Sequence, residues 1–69
     1  MSTEKLDSVI SNIKRTIVGK EMLLDTYESP SVNPYGPSVK ETMIHFLKLN
    51  LVELNHILVD LEDARKDIE

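Results

Sequence analysis

The chain has 69 residues, and this length limits it to one small domain or to one part of an oligomer. It contains no cysteine, which excludes disulfides, thiolate metal sites and a cysteine nucleophile and is compatible with a reducing compartment, so we expect a cytoplasmic protein. Eight basic residues against twelve acidic ones give a net charge of −4, which argues against direct nucleic-acid binding, and no apolar run reaches the roughly 20 residues of a membrane span, so we expect no membrane partner.

Residues 3–27 have the spacing of an amphipathic helix, with apolar side chains at alternating steps of four and three and Lys20 in one gap. The stripe consists of Leu6, Ile10, Ile13, Ile17, Leu24 and Tyr27, flanked by Val9 and Leu23. Ser2 or Thr3 can cap the helix, and the long stem of Lys20 is expected to reach solvent. The weak point is the segment 16–19, three β-branched residues and a glycine, where a kink, a close helix approach or a short strand could form instead.

Residues 28–37 contain all three prolines and one of the two glycines, which predicts a stiff connection between two helices. Asn33 to Gly36 suits a β-turn, with proline at its second position. Tyr35 lies between two prolines in this segment. It is a candidate partner-binding residue, because a pre-organised exposed aromatic can anchor an interface. The alternative is that Tyr35 folds back onto Phe46 or Tyr27.

Residues 38–67 carry the strongest helical signal, beginning at Ser38 and Glu41, which form a capping-box pattern. A heptad seam follows, with alternating steps of four and three. It consists of Met43, Leu47, Asn50, Leu54, Ile57, Leu61, Ala64 and Ile68. The sequence therefore predicts an all-α fold, a single two-helix antiparallel hairpin over residues 1–69. Asn50 could fix the register of this seam, or lie where helices splay and reach water.

The apolar coverage of the second helix is wider than one antiparallel neighbour can bury. Ile44, Leu51 and Leu58 lie beside the seam, and a further row lies on the other flank. We therefore expect two hairpins to dimerise into a four-helix bundle, the alternative being a monomer whose apolar patch awaits another protein. The expected dimer or partner interface consists of Met43, Leu47, Asn50, Leu51, Leu54, Ile57, Leu58 and Leu61. The further partner-binding candidates are Tyr35, Leu49, Val52 and Val59.

Candidate chemistry is sparse. His45 and His56 face the same way, but about 16 Å apart along the helix axis, so they cannot share one ion within a chain. Each has a carboxylate four residues away, from Glu41 and Asp60, which could hold a metal across a symmetric interface. Such pairs are routine on helix surfaces, and we predict no metal and no cofactor. No phosphate-binding loop, nucleophile elbow or zinc-protease motif occurs, so we predict no catalytic residues and no enzyme.

The resulting functional hypothesis is a small adaptor that associates with itself and binds an unidentified protein through the second helix and the loop. The alternative is a small acidic regulator or inhibitor, of a phage type or a nucleic-acid mimic, that blocks a nucleic-acid enzyme. Its working surface would be the acidic C-terminal end, which could equally be a solvated, fraying helix terminus. The acidic residues of that end are Asp60, Glu62, Asp63, Asp67 and Glu69.

Overall fold

The computed structural model describes residues 3–29 and 36–68, which form two α-helices, α1 (Glu4–Glu28) and α2 (Pro37–Ile68). The two helices run antiparallel, because Asp7 near the start of α1 pairs with Arg65 near the end of α2. At the opposite end, the Lys40 ammonium donates to the Ser29 carbonyl oxygen at 3.1 Å. The described part contains two helices and no strand, which confirms the predicted helical hairpin. The loop prediction at 30–35, including Tyr35, lies outside the described residues.

The helix starts differ from those predicted. Thr3 precedes α1, but its hydroxyl donates to the Asp7 carboxylate at 3.1 Å and does not cap a backbone amide. In α2 the first helical residue is Pro37, so Ser38 lies within the first turn and the predicted capping box is wrong. Proline is favoured at this position because the amide it lacks would have no helical partner. Gly36 precedes it with φ +92°, a backbone conformation that residues other than glycine rarely adopt. The carbonyl oxygen of Gly36 accepts the first helical hydrogen bond, from the Lys40 amide.

The segment 16–19 continues as part of α1, so the alternative of a short strand is wrong. The Thr16 hydroxyl donates to the Asn12 carbonyl oxygen at 2.8 Å, one turn back, which accommodates a β-branched polar residue within the helix. A β-carbon added to Gly19 would find no heavy atom within 4 Å. The close helix approach considered for Gly19 is therefore absent from the hairpin.

The hairpin buries little apolar surface. Among residues 3–29 and 36–68, three side chains are buried, Ile10 and Ile17 at 7% exposure and Leu47 at 4%. The predicted stripe of α1 is confirmed, because its other members are half-buried, Lys20 included. In α2 the half-buried positions are Lys40, Met43, Ile44, Asn50, Leu51, Leu54, Leu58, Leu61, Glu62 and Arg65. Ile57, Ala64 and Ile68 belong to the predicted seam but are exposed, so the contact line with α1 departs from that seam.

Candidate interaction surfaces

One side of the hairpin is polar and carries ion pairs between the helices. A groove of about 370 Å³ opens there, lined by Asp7, Ile10, Lys14, Glu62, Arg65 and Lys66. Arg65 donates to the Asp7 carboxylate, and this bond lowers the pKa of Asp7 below its ordinary value, against a smaller opposing effect of partial desolvation. At the loop end Glu28 and Lys48 approach to 3.9 Å. We call this side the polar face, and its pairs hold the helices in antiparallel register.

The other side of the hairpin is mainly apolar, and none of the other described residues covers it. At roughly 100° per residue, Val9 and Leu23 lie about 80–120° from Ile17 in one direction around α1, and Asp7 and Lys14 lie about 60–80° in the other. Since the latter two line the polar groove, the two apolar residues lie on the opposite side.

The side chains of α2 divide between the two sides in the same way. Phe46 and Ile57 lie about 60–80° from Leu54 in one direction, and Glu62 and Lys66, which line the polar groove, lie about 80–120° in the other. The apolar flanks of both helices therefore meet on one side, which we call the open face. Its members are Val9, Thr16, Lys20, Leu23 and Tyr27 on α1, and Val39, Phe46, Asn50, Ile57, Ala64 and Ile68 on α2.

The open face contains part of the interface expected from the sequence. Ile57 is 45% exposed there, and Met43, Asn50 and Leu61 are half-buried at its inner edge. Leu47, Leu51, Leu54 and Leu58 are the expected members that pack toward α1. The expected set thus divides between two directions, about half toward the neighbouring helix of the hairpin and half toward the uncovered side.

A second exposed surface lies on the side of α2 that faces away from α1. It follows a four-three alternation through His45, Leu49, Val52, His56 and Val59, and we call it the back stripe. Val52 is 56% exposed and Val59 57%, so the row predicted to bind a partner is accessible on the hairpin. Near its C-terminal end, a shallow depression of about 250 Å³ is lined by His56, Val59 and Asp60.

The histidines lie on the back stripe as exposed side chains. Within the described ranges no three His, Asp or Glu side chains come together closely enough to hold an ion. The ring of His45 lies 6.4 Å from that of its neighbour Phe46, centre to centre. The hairpin therefore offers each histidine as a separate surface group, with one acidic neighbour of His56, Asp60, beside the depression.

The acidic end of α2 is helical as far as Ile68. Arg65 is tied to Asp7 of α1, so this end is anchored to the hairpin at least to that residue. Asp60, Asp63 and Asp67 are exposed. Sequence reasoning missed the Asp7–Arg65 pair, because two oppositely charged residues 58 positions apart give no periodic signal.

Comparisons with known proteins leave these surfaces as the main guide to function. No family model matches the sequence, and neither curated proteins nor solved structures show a significant similarity to it. Neither helix, as far as the structure describes the chain, is long and apolar enough to cross a membrane.

Proposed function

We propose that this protein is a non-enzymatic interaction module that dimerises through its open face into a four-helix bundle and binds another protein through α2 and the loop. The single observation that carries the proposal is the open face, a mainly apolar surface along both helices that no other described residue covers. Contiguous exposed apolar surface on a small protein marks an interaction site. We expect the module to act in the cytoplasm, in keeping with a fold that contains no cysteine.

The size of the uncovered surface supports a protein partner. The accessible surface is 5248 Å², whereas a compact monomer of 7.9 kDa would expose about 4400 Å². The excess of about 800 Å² equals one partner's share of a standard protein interface. The radius of gyration is 15.7 Å, against about 11 Å for a globular chain of this length. A second rod of the same length would supply the missing half of a core.

Self-association is tested by sedimentation equilibrium between roughly 1 and 100 μM, a range that measures micromolar dissociation constants. The expected mass is twice 7.9 kDa. Leu54→Asp should dissociate and unfold the protein together, because it places a charge where α2 packs on α1. A monomer across the whole range, with a melting temperature independent of concentration, would refute the dimer and leave the open face to another protein.

Binding of another protein would use the surface that a dimer leaves exposed. The back stripe supports this, since Val52 and Val59 face away from α1 and from the open face. The competing function, an acidic regulator, is supported by the exposed carboxylates of Asp60, Asp63 and Asp67. Both surfaces lie on α2, so one set of variants can separate them.

The experiment compares capture of binding proteins from the native host by the wild type and by two variants, at low and high salt. If the back stripe binds, Val52→Asp should remove the captured protein, because a few buried apolar anchors dominate interfaces. The triple replacement of Asp60, Asp63 and Asp67 by asparagine should then have little effect. The opposite result, together with steep loss of binding in salt, would favour the acidic regulator.

A further inference from the structure

We infer that the second copy docks on the open face with the two-fold axis parallel to the helices, and that Lys20 and Asn50 of both chains meet in one polar layer of the bundle core. This inference rests on the self-association proposed above. It adds the orientation of the two-fold axis and a polar layer that fixes the alignment of the two chains. Three properties of the hairpin support this inference. They are the heights of its residues along the helix axes, the direction of its apolar stripes and the charges along its edges.

The contact between Asp7 and Arg65 sets the level of each residue along the rod. Because the helices are antiparallel, residue i of α1 lies near the level of residue 72 − i of α2. The two apolar stripes then fall into shared layers, such as Ile17 with Leu54. The polar member of each stripe falls in one and the same layer, Lys20 on α1 and Asn50 on α2.

The direction of the stripes supports a bundle. Around α1, Ile13 and Lys20 lie about 40–60° from Ile17 toward the open face. Around α2, the seam residues Asn50 and Ile57 lie about 40–60° from Leu54 toward that same face, whereas Leu58 and Leu51 lie about 40–60° toward the polar face. The stripe of α1 and the heptad seam of α2 therefore point between the neighbouring helix and the open side. In a four-helix bundle the directions from one helix to its two nearest neighbours are roughly at right angles to each other, and the centre of the bundle lies between them. The stripe of α1 and the seam of α2 point in that direction.

The charges along the edges of the open face choose the symmetry axis. The outer edge of α1 carries Lys5 and Asn12, and that of α2 carries the acidic side chains of Glu53, Asp60 and Asp67, all exposed. A two-fold axis parallel to the helices lays α1 of one chain beside α2 of the other at unchanged level. Lys5 then lies opposite Asp67 of the partner subunit, and Asn12 opposite Asp60 of the partner subunit.

The other face-to-face arrangement has its axis across the helices, and it lays α2 on α2. With the two rods fully overlapping, Glu53 would then lie opposite Glu53 of the partner subunit, and Asp67 would lie near the level of Ser38 of the partner subunit. Juxtaposed like charges are unfavourable, whereas complementary edges steer and align two chains. The charge pattern therefore favours the axis parallel to the helices.

The polar layer has the properties of an alignment device. Asn50 is half-buried in the hairpin, and its amide nitrogen donates to the Phe46 carbonyl oxygen at 2.8 Å. Lys20 is half-buried at the same level, close to the level of Glu53 of the partner subunit, toward which its long stem can extend. Slipping one chain by a heptad would separate these polar groups and place them at the level of Ile13 and Ile57 in one direction, or of Tyr27 and Met43 in the other. A polar side chain in an apolar seam specifies register in this way, at a cost in stability.

The geometry is tested by disulfide trapping, for which the cysteine-free chain is well suited. The double variant Asn12→Cys with Asp60→Cys should form a disulfide-linked dimer under mild oxidation. The single variants Glu53→Cys and Asp60→Cys should link at least tenfold more slowly, because a parallel axis places each far from its own copy. If, in a protein shown to be dimeric by sedimentation, Asp60→Cys alone links as fast as the double variant, the proposed axis is wrong.

The polar layer is tested with a matched pair of double variants. Lys20→Met with Asn50→Leu should lower the dimer dissociation constant at least tenfold, because it replaces buried polar groups by apolar ones. The control is Lys14→Met with Asn55→Leu, since Asn55 donates to the Leu51 carbonyl oxygen at the same 2.8 Å but is exposed. Equal effects of the two would overturn the layer. A wild type that stays monomeric would instead refute the proposed self-association itself.

Discussion

The replacement Ile57→Ser tests whether the open face of the hairpin is the dimer interface. Ile57 is 45% exposed on this face, although it belongs to the heptad seam predicted for α2. Complete burial of an isoleucine contributes about 1.5–3 kcal/mol. Covering the remaining exposed part should therefore contribute about 1 kcal/mol per chain, or about 2 kcal/mol for both copies in a symmetric dimer. We expect serine at this position to weaken the dimer about 30-fold.

Val59→Ser is the matched control, because Val59 lies on the back stripe at 57% exposure and faces away from the proposed dimer. Isoleucine, valine and serine have similar helix propensities, so the two variants perturb the helix itself about equally. Dissociation constants would be measured by sedimentation equilibrium, with circular dichroism confirming that both variants remain helical. Equal weakening by the two replacements, or a larger effect of Val59→Ser, would show that the open face is not the contact between copies.

Three further predictions concern the hairpin itself. Gly19→Ala should raise the free energy of unfolding by about 0.5–1 kcal/mol, because Gly19 is a mid-helix glycine with open space around it. Gly36→Ala should lower the free energy of unfolding, because the φ of +92° at Gly36 disfavours a side chain. Urea titrations at one protein concentration would show both changes. Asp7→Asn should lower the stability of the hairpin at neutral pH and reduce the stability that the hairpin loses in acid. The pKa of Asp7 is lowered by Arg65, so the wild-type pair contributes fully above about pH 4. Its contribution disappears as the pH falls through that lowered pKa. An unchanged slope of urea midpoints between pH 2 and 5 would contradict this. Micromolar zinc should leave the melting temperature unchanged in the wild type and in His45→Ala alike, and a zinc-dependent rise lost in His45→Ala would reveal a metal site.

The two helices could be predicted from the sequence because their signals are local and repeated. The stripe from Leu6 to Tyr27 recurs at helical spacing over the whole of α1, and the proline-rich segment interrupts the pattern where the connection lies. The β-branched residues of segment 16–19 suggested a short strand as an alternative, which the structure does not contain. A helix tolerates such residues when the flanking turns are helical and a threonine can bond one turn back, as Thr16 does to Asn12.

The contacts of α2 could not be predicted at the same level, because its apolar residues cover well over half of the helix circumference. Periodicity identifies such a stripe but gives no information on which part of it meets α1. The choice depends on the rotation of the whole helix, which the polar face helps to fix through Arg65 and Lys48. Leu51 and Leu58 consequently pack toward α1, and Ile57 remains exposed.

The offset of the stripes from the contact between α1 and α2 is the strongest support for the proposed dimer. If the hairpin were the complete fold, each apolar stripe would be centred on the neighbouring helix, since burial there would be greatest. Instead the stripe of α1 and the heptad seam of α2 are displaced toward the open face, and the polar pair Lys20 and Asn50 lies at one level within them. The offset and the polar level that the two helices share are the basis on which we propose a packing centre outside the hairpin. A second copy supplies that centre with no additional component, since a two-fold axis through it would bring four equivalent stripes together.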